Sequence, residues 1–521
     1  MTIADAGAGH GTGREAVERC RVLVVGAGFG GLGAAFALRR AGYRADDDVL
    51  VLDAADRVGG VWRDNHYPGC ACDIPAMLYS YSYAPNPGWS RRFPPHDEIR
   101  AYLERCVDDF DVRRSLRLGT AVESAAWDDA RGLWTARTAD GRVFEAQVLV
   151  PAVGQLSRPV VPAIPGLDDF AGAAFHTARW DDAVDVTGRR VAVLGTGASA
   201  IQVVPAIAGR AAQVTVLQRT PPWVLPKPDR RYGPVTRWLS RHVPGATQAQ
   251  RGGFWLATVV TGRAVRGKPV SSRAVRWLST AQRRLQVPDP ALRAKVTPDY
   301  PMGCKRVLFT ATWYPALRRP DVDLVTDPVV RVTPTGVVTR GGEGEREHAC
   351  DVLVLSTGFA ATEILVPLQV TGRDGADLHT VWADGARAHL GMTVPRFPNL
   401  VVLYGPNTNT GNTSVVFFLE AQCRYLVQAL ALLGSRPGTP FDAGRRLEVR
   451  ADVEERYDRE IQTRLASSVW TACTSWYRTA SGRVVTNWPG SAGEYRRRTA
   501  RLHPAEFTVA EASAQQDQAS V

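Results

Sequence analysis

Twice in this chain an aliphatic strand-like run ends in a glycine-rich turn and gives way to a helical pattern, and no other feature restricts the fold as strongly. The first unit reads Arg21-Val-Leu-Val-Val25, then Gly26-Ala-Gly28-Phe-Gly30-Gly31, a helix through Leu38 and a second strand over Val49–Leu52. The second reads Arg190-Val-Ala-Val-Leu194, then Gly195-Thr-Gly197-Ala-Ser199-Ala200, a helix to about Ile207 and a strand over Gln213–Leu217. In such turns the first glycine permits the tight bend, the second lets a pyrophosphate approach the backbone, and the third position lets helix pack on strand. Unpaired N–H groups at the helix start then face the phosphates. The expected fold class is therefore α/β, with two Rossmann-like dinucleotide-binding domains. An earlier run, Gly7 to Gly13, follows no strand and is discounted.

The residue that closes each second strand separates the two ligands. Asp53 stands at the end of the first, where a carboxylate accepts hydrogen bonds from ribose hydroxyls. Gln218-Arg219-Thr220 closes the second. A carboxylate there would repel a 2′-phosphate, whereas a guanidinium pairs with it. Charge alone thus assigns FAD to Gly26, Gly28, Gly31 and Asp53, and NADPH to Gly195, Gly197, Ser199, Arg219 and Thr220.

Length and composition set the rest of the frame. The 521 residues suit two or three domains. The expected divisions are a disordered tail over 1–19, an FAD-binding part over 20–157, an NADPH-binding domain over 158–221 and 301–385, a helical insertion over 222–300, a second FAD-binding part over 386–505, and a disordered tail over 506–521. The net charge of +11 raises nucleic-acid binding, but the arginines run along the whole chain rather than in one stripe, so no nucleic-acid partner is expected. With only four lysines (Lys227, Lys268, Lys295 and Lys305), the Arg bias suggests a GC-rich bacterial genome. The first twenty residues lack a signal peptide's basic start and apolar core. No run approaches eighteen apolar residues, and the most apolar helical candidate, Phe254 to Val260, is short, so no membrane partner is expected. Eight cysteines are scattered without a Cys-x-x-Cys, which predicts no metal site and a reduced, cytoplasmic protein.

Two dinucleotide folds in one chain imply electron transfer between their ligands. A disulfide reductase would need a cysteine pair beside the flavin, and the only close pair, Cys70-Ala-Cys72, would make a strained bridge. A flavin monooxygenase needs no such pair. An NADPH oxidase stays open as a further alternative.

The segment Phe170-Ala-Gly172-Ala-Ala-Phe-His176-Thr-Ala-Arg-Trp180-Asp181 resembles the Baeyer–Villiger monooxygenase fingerprint F-x-G-x-x-x-H-x-x-x-W-[P/D] at every fixed position. It also sits where that class B flavoprotein family places it, just before the second glycine turn. Gly59-Gly-Val61-Trp62 through Asp73 to Tyr79 is similar to the family segment that wraps the isoalloxazine ring. Tyr300-Pro-Met-Gly-Cys-Lys305-Arg306 resembles the stretch with the catalytic arginine, and Ser356-Thr-Gly358-Phe359 the A-T-G-F turn. Leu403 to Asn409 and Ser475 to Gly490 are similar to the hydroxyacetophenone monooxygenase branch. The resemblance covers roughly residues 20–500, with Asp53 where the family more often has Glu. It implies Arg306 and Asp73 as catalytic residues, Lys305 as a second 2′-phosphate ligand, and Val61, Trp62, Asp73 and Tyr79 at the flavin. It makes the fingerprint a relay rather than an acid or base. It further implies that NADPH and O2 are used to insert one oxygen beside a ketone carbonyl, through a flavin C4a-peroxide, giving an ester or lactone. Oxygenation of sulfur or nitrogen is the alternative on the same scaffold. The substrate would be a small ketone, aromatic or a natural-product intermediate, with Trp470, Trp476 and Tyr477 as candidate aromatic lining.

Overall fold

The computed structural model describes residues 17–265, 269–411, 413–439 and 444–511. Its first sheet has seven strands in the spatial order Gln369–Thr371, Val122–Asp128, Leu133–Thr138, Val143–Pro151, Glu18–Val25, Val49–Leu52 and Leu116–Arg117. Glu18–Val25 pairs in parallel with both Val49–Leu52 and Val143–Pro151, so its six residues from Cys20 to Val25 are buried. A strand covered on both faces requires an apolar run, and the one charged member, Arg21, is tolerated because it pairs with buried Asp48 at 2.7 Å. Helix α1 (Phe29–Arg40) crosses between the first two strands and presents Leu32, Phe36 and Leu38 to the core.

The second sheet has five strands, all parallel: Val322–Val325, Gln213–Leu217, Arg190–Leu194, Val352–Leu355 and Ala173–His176. Helix α2 (Ala200–Ile207) follows its glycine turn. Both βαβ units thus form as expected, and the fold is α/β with two Rossmann-like domains. After the second unit, and before strand Val322–Val325, residues 222–300 supply helices α3 (Pro234–His242), α4 (Ala246–Val265) and α5 (Pro269–Gln286). Helix α6 (Val415–Leu432) packs on α1, with Phe418, Leu419, Leu426 and Leu430 in the same core.

Several expectations shift. The first strand starts at Glu18, inside the segment read as a tail. The chain has already returned to the first sheet at Gln369–Thr371, ahead of the expected return at 386. The segment beyond 506 is a strand, Phe507–Glu511, paired antiparallel with Arg445–Val449; alternating Thr508, Val509 and Ala510 carry too little pattern to reveal that edge pairing. The rest of the C-terminal tail and the Gly7–Gly13 run lie outside the described residues. Among the described residues one helix, α6, is long and apolar enough to cross a membrane, and most of it is inside the protein. In sequence Phe254–Val260 is the more continuously apolar run, because Glu420 and Arg424 interrupt α6. The Glu420 carboxylate is buried because it accepts from the Ser82 N–H and hydroxyl.

Candidate active site at the junction of the two dinucleotide folds

Each glycine turn is shaped partly by its own packing and partly by space left over it. Gly26 has φ +108°, and a Cβ there would stand 2.7 Å from the Ala152 carbonyl oxygen. A Cβ at Gly31 would overlap the Gly26 carbonyl at 1.8 Å. Gly195 repeats φ +108°, with Ser356 O at 2.5 Å from a Cβ. These positions must be glycine for the backbone alone. Gly28 and Gly197 differ: the nearest atom to a Cβ at Gly28 is Gly60 Cα at 3.6 Å, and nothing lies within 4 Å of one at Gly197. Packing does not demand glycine there, but a pyrophosphate cradle does. The turns therefore fit dinucleotides.

The strand-end residues behave differently. The Asp53 carboxylate accepts from the Ala27 N–H at 2.7 Å, the Ala55 N–H at 2.9 Å and Arg63 Nη1 at 3.0 Å, so it is locked to the first glycine turn. Arg219 is exposed, and the neighbouring Thr220 carbonyl accepts from Thr196 Oγ1 in the second turn. Lys305 comes from a distant segment to the same place. Burial lowers its ammonium below the ordinary lysine value, and the Arg219 guanidinium pushes it further down. Asp299 opposes that shift only in part, and two cations held together in this way are suited to a doubly charged phosphate.

The segment from Gly59 to Tyr79 spans the two folds. Tyr67 donates to Gln202 Oε1 on α2 at 3.0 Å, and Gln202 Nε2 donates to the Ala71 carbonyl at 2.9 Å. Val61 opens a single helical turn, Val61–Asp64, and Trp62 Nε1 donates to the Tyr79 hydroxyl at 3.1 Å. At the end of this bridge Asp73 meets Arg306, whose Nη2 donates to Asp73 Oδ2 at 2.7 Å across 233 residues of sequence. Burial raises the Asp73 carboxyl, but the charge and hydrogen bond of Arg306, with help from Lys227, bring it below the ordinary carboxylate value. Asp73 in turn raises Arg306, outweighing burial. Tyr477 and Tyr404 share this electrostatic neighbourhood, and burial lifts the Tyr477 phenol to about 12.

Lys227 escaped the sequence reading. Its Nζ donates to the Cys72 carbonyl at 2.9 Å and lies 4.9 Å from the Phe93 ring centroid, behind Asp73. Burial lowers its ammonium, while Asp73 opposes that shift. Its rarity, one lysine of four in an arginine-rich chain, was the available signal.

The fingerprint residues lie apart from Arg306. His176 closes strand Ala173–His176, its Nδ1 accepts from the Ala178 N–H at 3.0 Å, and burial disfavours its charged form. That bond leaves the proton on Nε2. A Cβ at Gly172 would strike the Asp351 carbonyl at 2.4 Å, beside Phe170. Trp180 stacks edge-on to Phe175, its carbonyl contacts His66 Nε2, and Asp181 accepts from the Ala183 N–H. Trp470 and Tyr477 are buried in the main core, and Trp476 packs on Tyr477 at 4.3 Å.

The cysteines overturn one expectation. Cys304 and Cys473 are joined by a disulfide, with Cα atoms 6.0 Å apart, directly beside Lys305-Arg306. Residues 169 positions apart offer no spacing signal in the sequence. Cys70 and Cys72 are free and buried, and burial pushes the Cys70 thiol up to about 12 and Cys72 higher still. Thiols so protonated are poor partners for flavin-linked disulfide exchange.

A Baeyer–Villiger monooxygenase of Streptomyces coelicolor is 43% identical over 497 residues, covering 94% of this chain and 93% of that protein. The chain belongs to the Baeyer–Villiger monooxygenases. A family described as pyridine nucleotide-disulphide oxidoreductase matches residues 20–237. Solved structures agree on this Baeyer–Villiger fold. Oxidised steroid monooxygenase bound to NADP superimposes with a TM-score of 0.81 at 32% identity, covering 95% of this chain and all (100%) of that one. OTEMO in complex with FAD and NADP gives 0.82 at 25% identity, covering 94% and 99%.

Proposed function

We propose that this Baeyer–Villiger monooxygenase holds FAD on its first fold and NADPH on its second, and converts a ketone to an ester or lactone with one oxygen from O2. The observation that carries the reading is the Arg306–Asp73 pair at 2.7 Å, set at the end of the segment that joins the two folds. FAD would be held by Gly26, Gly28, Gly31 and Asp53, with Val61, Trp62, Asp73 and Tyr79 along its ring. NADPH would be held by Gly195, Gly197, Ser199, Arg219, Thr220 and Lys305. When bound, the flavin would take electrons from NADPH and pass them to O2, the source of the inserted oxygen.

The protein's part is electrostatic. Attack on a carbonyl by a nucleophilic oxygen builds negative charge on the carbonyl oxygen, and a fixed cation in a water-poor site stabilises that charge. Arg306 remains charged at every working pH. Asp73 orients it, and Lys227 balances Asp73 so that the site retains net positive charge. Tyr477, with its phenol at about 12, stays protonated and able to donate. The need for NADPH and the six free, buried cysteines support a cytoplasmic enzyme. Its substrate would be a small ketone, with Trp476 the least buried of the three candidate lining residues Trp470, Trp476 and Tyr477.

Replacing Arg306 by Ala tests this. Flavin content and NADPH-driven flavin bleaching should persist, while ester formation falls by roughly a hundredfold or more, the scale of losing one preorganised oxyanion donor. Ester formation at the parental rate would remove Arg306 from the chemistry.

A further inference from the structure

The arginines of this chain are evenly spread, but the acids are not. Between Asp229 and Asp289 there are twelve Arg or Lys residues and no Asp or Glu, so this stretch alone exceeds the net charge of +11 of the entire protein. Among the described residues the same stretch holds most of the exposed large apolar side chains: Val235, Trp238, Leu239, Val243, Leu256, Val259, Trp277, Leu278 and Leu285, against four elsewhere.

The helices show how these groups are arranged. In α3, Val235, Trp238, Leu239 and His242 follow the i, i+3, i+4, i+7 spacing of one face, and no residue of the helix is buried. Trp238 is 56% exposed. Arg237 and Arg241, four residues apart, flank that face. In α5 the inner face is fastened to the body: Ser279 donates to the Val224 carbonyl, Gln282 to the Thr310 carbonyl, and Arg283 lies over Trp223. The outer face carries Arg273, Arg276, Arg284, Leu285 and Trp277, which is 72% exposed. Among the described residues none of Arg237, Arg241, Arg273, Arg276 and Arg284 forms an ion pair.

We infer that this helical insertion is a membrane-docking surface, which seats the enzyme on an anionic phospholipid bilayer. An amphipathic helix with exposed Trp and Leu, rimmed by arginines, matches an interface where acyl chains lie beneath negative headgroups. Such a helix lies in the interface and needs no spanning segment. A second copy of this face would meet its own positive field. A nucleic acid would satisfy the arginines but leave Val235, Leu239, Leu256 and Leu285 uncovered. The inner side of the insertion also touches the segment beside the candidate site, because Arg251 on α4 donates to the Met77 and Ser80 carbonyls, next to Tyr79.

Flotation of the flavin-loaded full chain with phosphatidylglycerol-containing vesicles, in parallel with pure phosphatidylcholine vesicles, tests the inference. The anionic vesicles should carry up roughly tenfold more protein, and high salt should release most of it. Trp238→Ser with Leu239→Ser, and separately Arg237→Glu with Arg241→Glu, should each abolish flotation while flavin content and ketone oxidation stay unchanged. Three results would overturn it: parent protein that stays at the bottom with anionic vesicles, equal flotation by both variants, or salt-sensitive binding to duplex DNA by a chain that ignores vesicles.

Discussion

Asp73 carries two opposed influences, and their balance sets a pH signature. Burial alone would neutralise it, whereas Arg306 and Lys227 bring its carboxyl below the ordinary value. A depressed carboxyl gives stability and charge that are present above the ordinary carboxylate value and lost as pH falls through the depressed one. Removing Lys227 raises Asp73, so the loss sets in at higher pH. Lys227→Met should therefore move the acid limb of the kcat/KM profile upward, and Lys227→Arg should restore it; an unmoved limb would show that Lys227 does not act through Asp73. A second residue-scale test uses Gly197, where a Cβ meets open space. Gly197→Ala should fold and retain flavin, yet raise the KM for NADPH about tenfold or more, as one to two kcal/mol of lost phosphate contact demands. A normal KM would mean that the pyrophosphate lies elsewhere. The glycines, Asp53 and Arg219 were read from strand–turn–helix spacing and charge, whereas Lys305, Asp73 and Arg306 came from the resemblance of their segments to the family. Lys227 was not, because its partner Cys72 is 155 residues away and the contact is to a carbonyl, which leaves no side-chain pattern.

At the scale of elements, the two βαβ units were legible because an aliphatic run, a glycine turn and a helix must occur in that order to bury a parallel strand. The final strand Phe507–Glu511 was not, because an exposed edge pair makes little demand on side-chain pattern. The disulfide was invisible for a related reason: pairing over 169 residues is decided by tertiary packing. It ties the Lys305-Arg306 loop to the segment leading to Trp476 and Tyr477. Thiol titration of the denatured chain should find six reactive groups without reductant and eight after reduction; eight from the start would refute the bond. Helix Ala451–Ala466 offers an independent check. Its buried Glu454 is raised by desolvation to about 7, with Arg387 opposing and Asp458 assisting. A raised carboxyl contributes stability that is full below its unfolded value and lost as pH climbs through about 7. Chemical denaturation of Glu454→Gln should thus show a flatter pH dependence between the ordinary value of 4.5 and about 7, by on the order of 3 kcal/mol. Parallel curves for the two proteins would contradict that account.

The whole molecule reads as two nucleotide folds bridged by one segment, Gly59 to Tyr79, that delivers Asp73 to Arg306. This architecture explains why neither fold alone suffices: the cation comes from the chain that follows the helical insertion, and its carboxylate partner from the first fold. The charge assignment of FAD and NADPH followed from strand ends, but the gathering of unopposed positive charge on the insertion emerged only when the missing acids and the exposed apolar groups were placed on the same helices. The claim that the junction oxidises ketones is open to one decisive measurement. Purified enzyme would be given NADPH, isotopically heavy O2 and a panel of ketones with matched thioethers, and the products weighed. The account predicts an ester or lactone carrying a single heavy oxygen atom. Consumption of NADPH that yields only hydrogen peroxide, or sulfoxide with every ketone untouched, would contradict it.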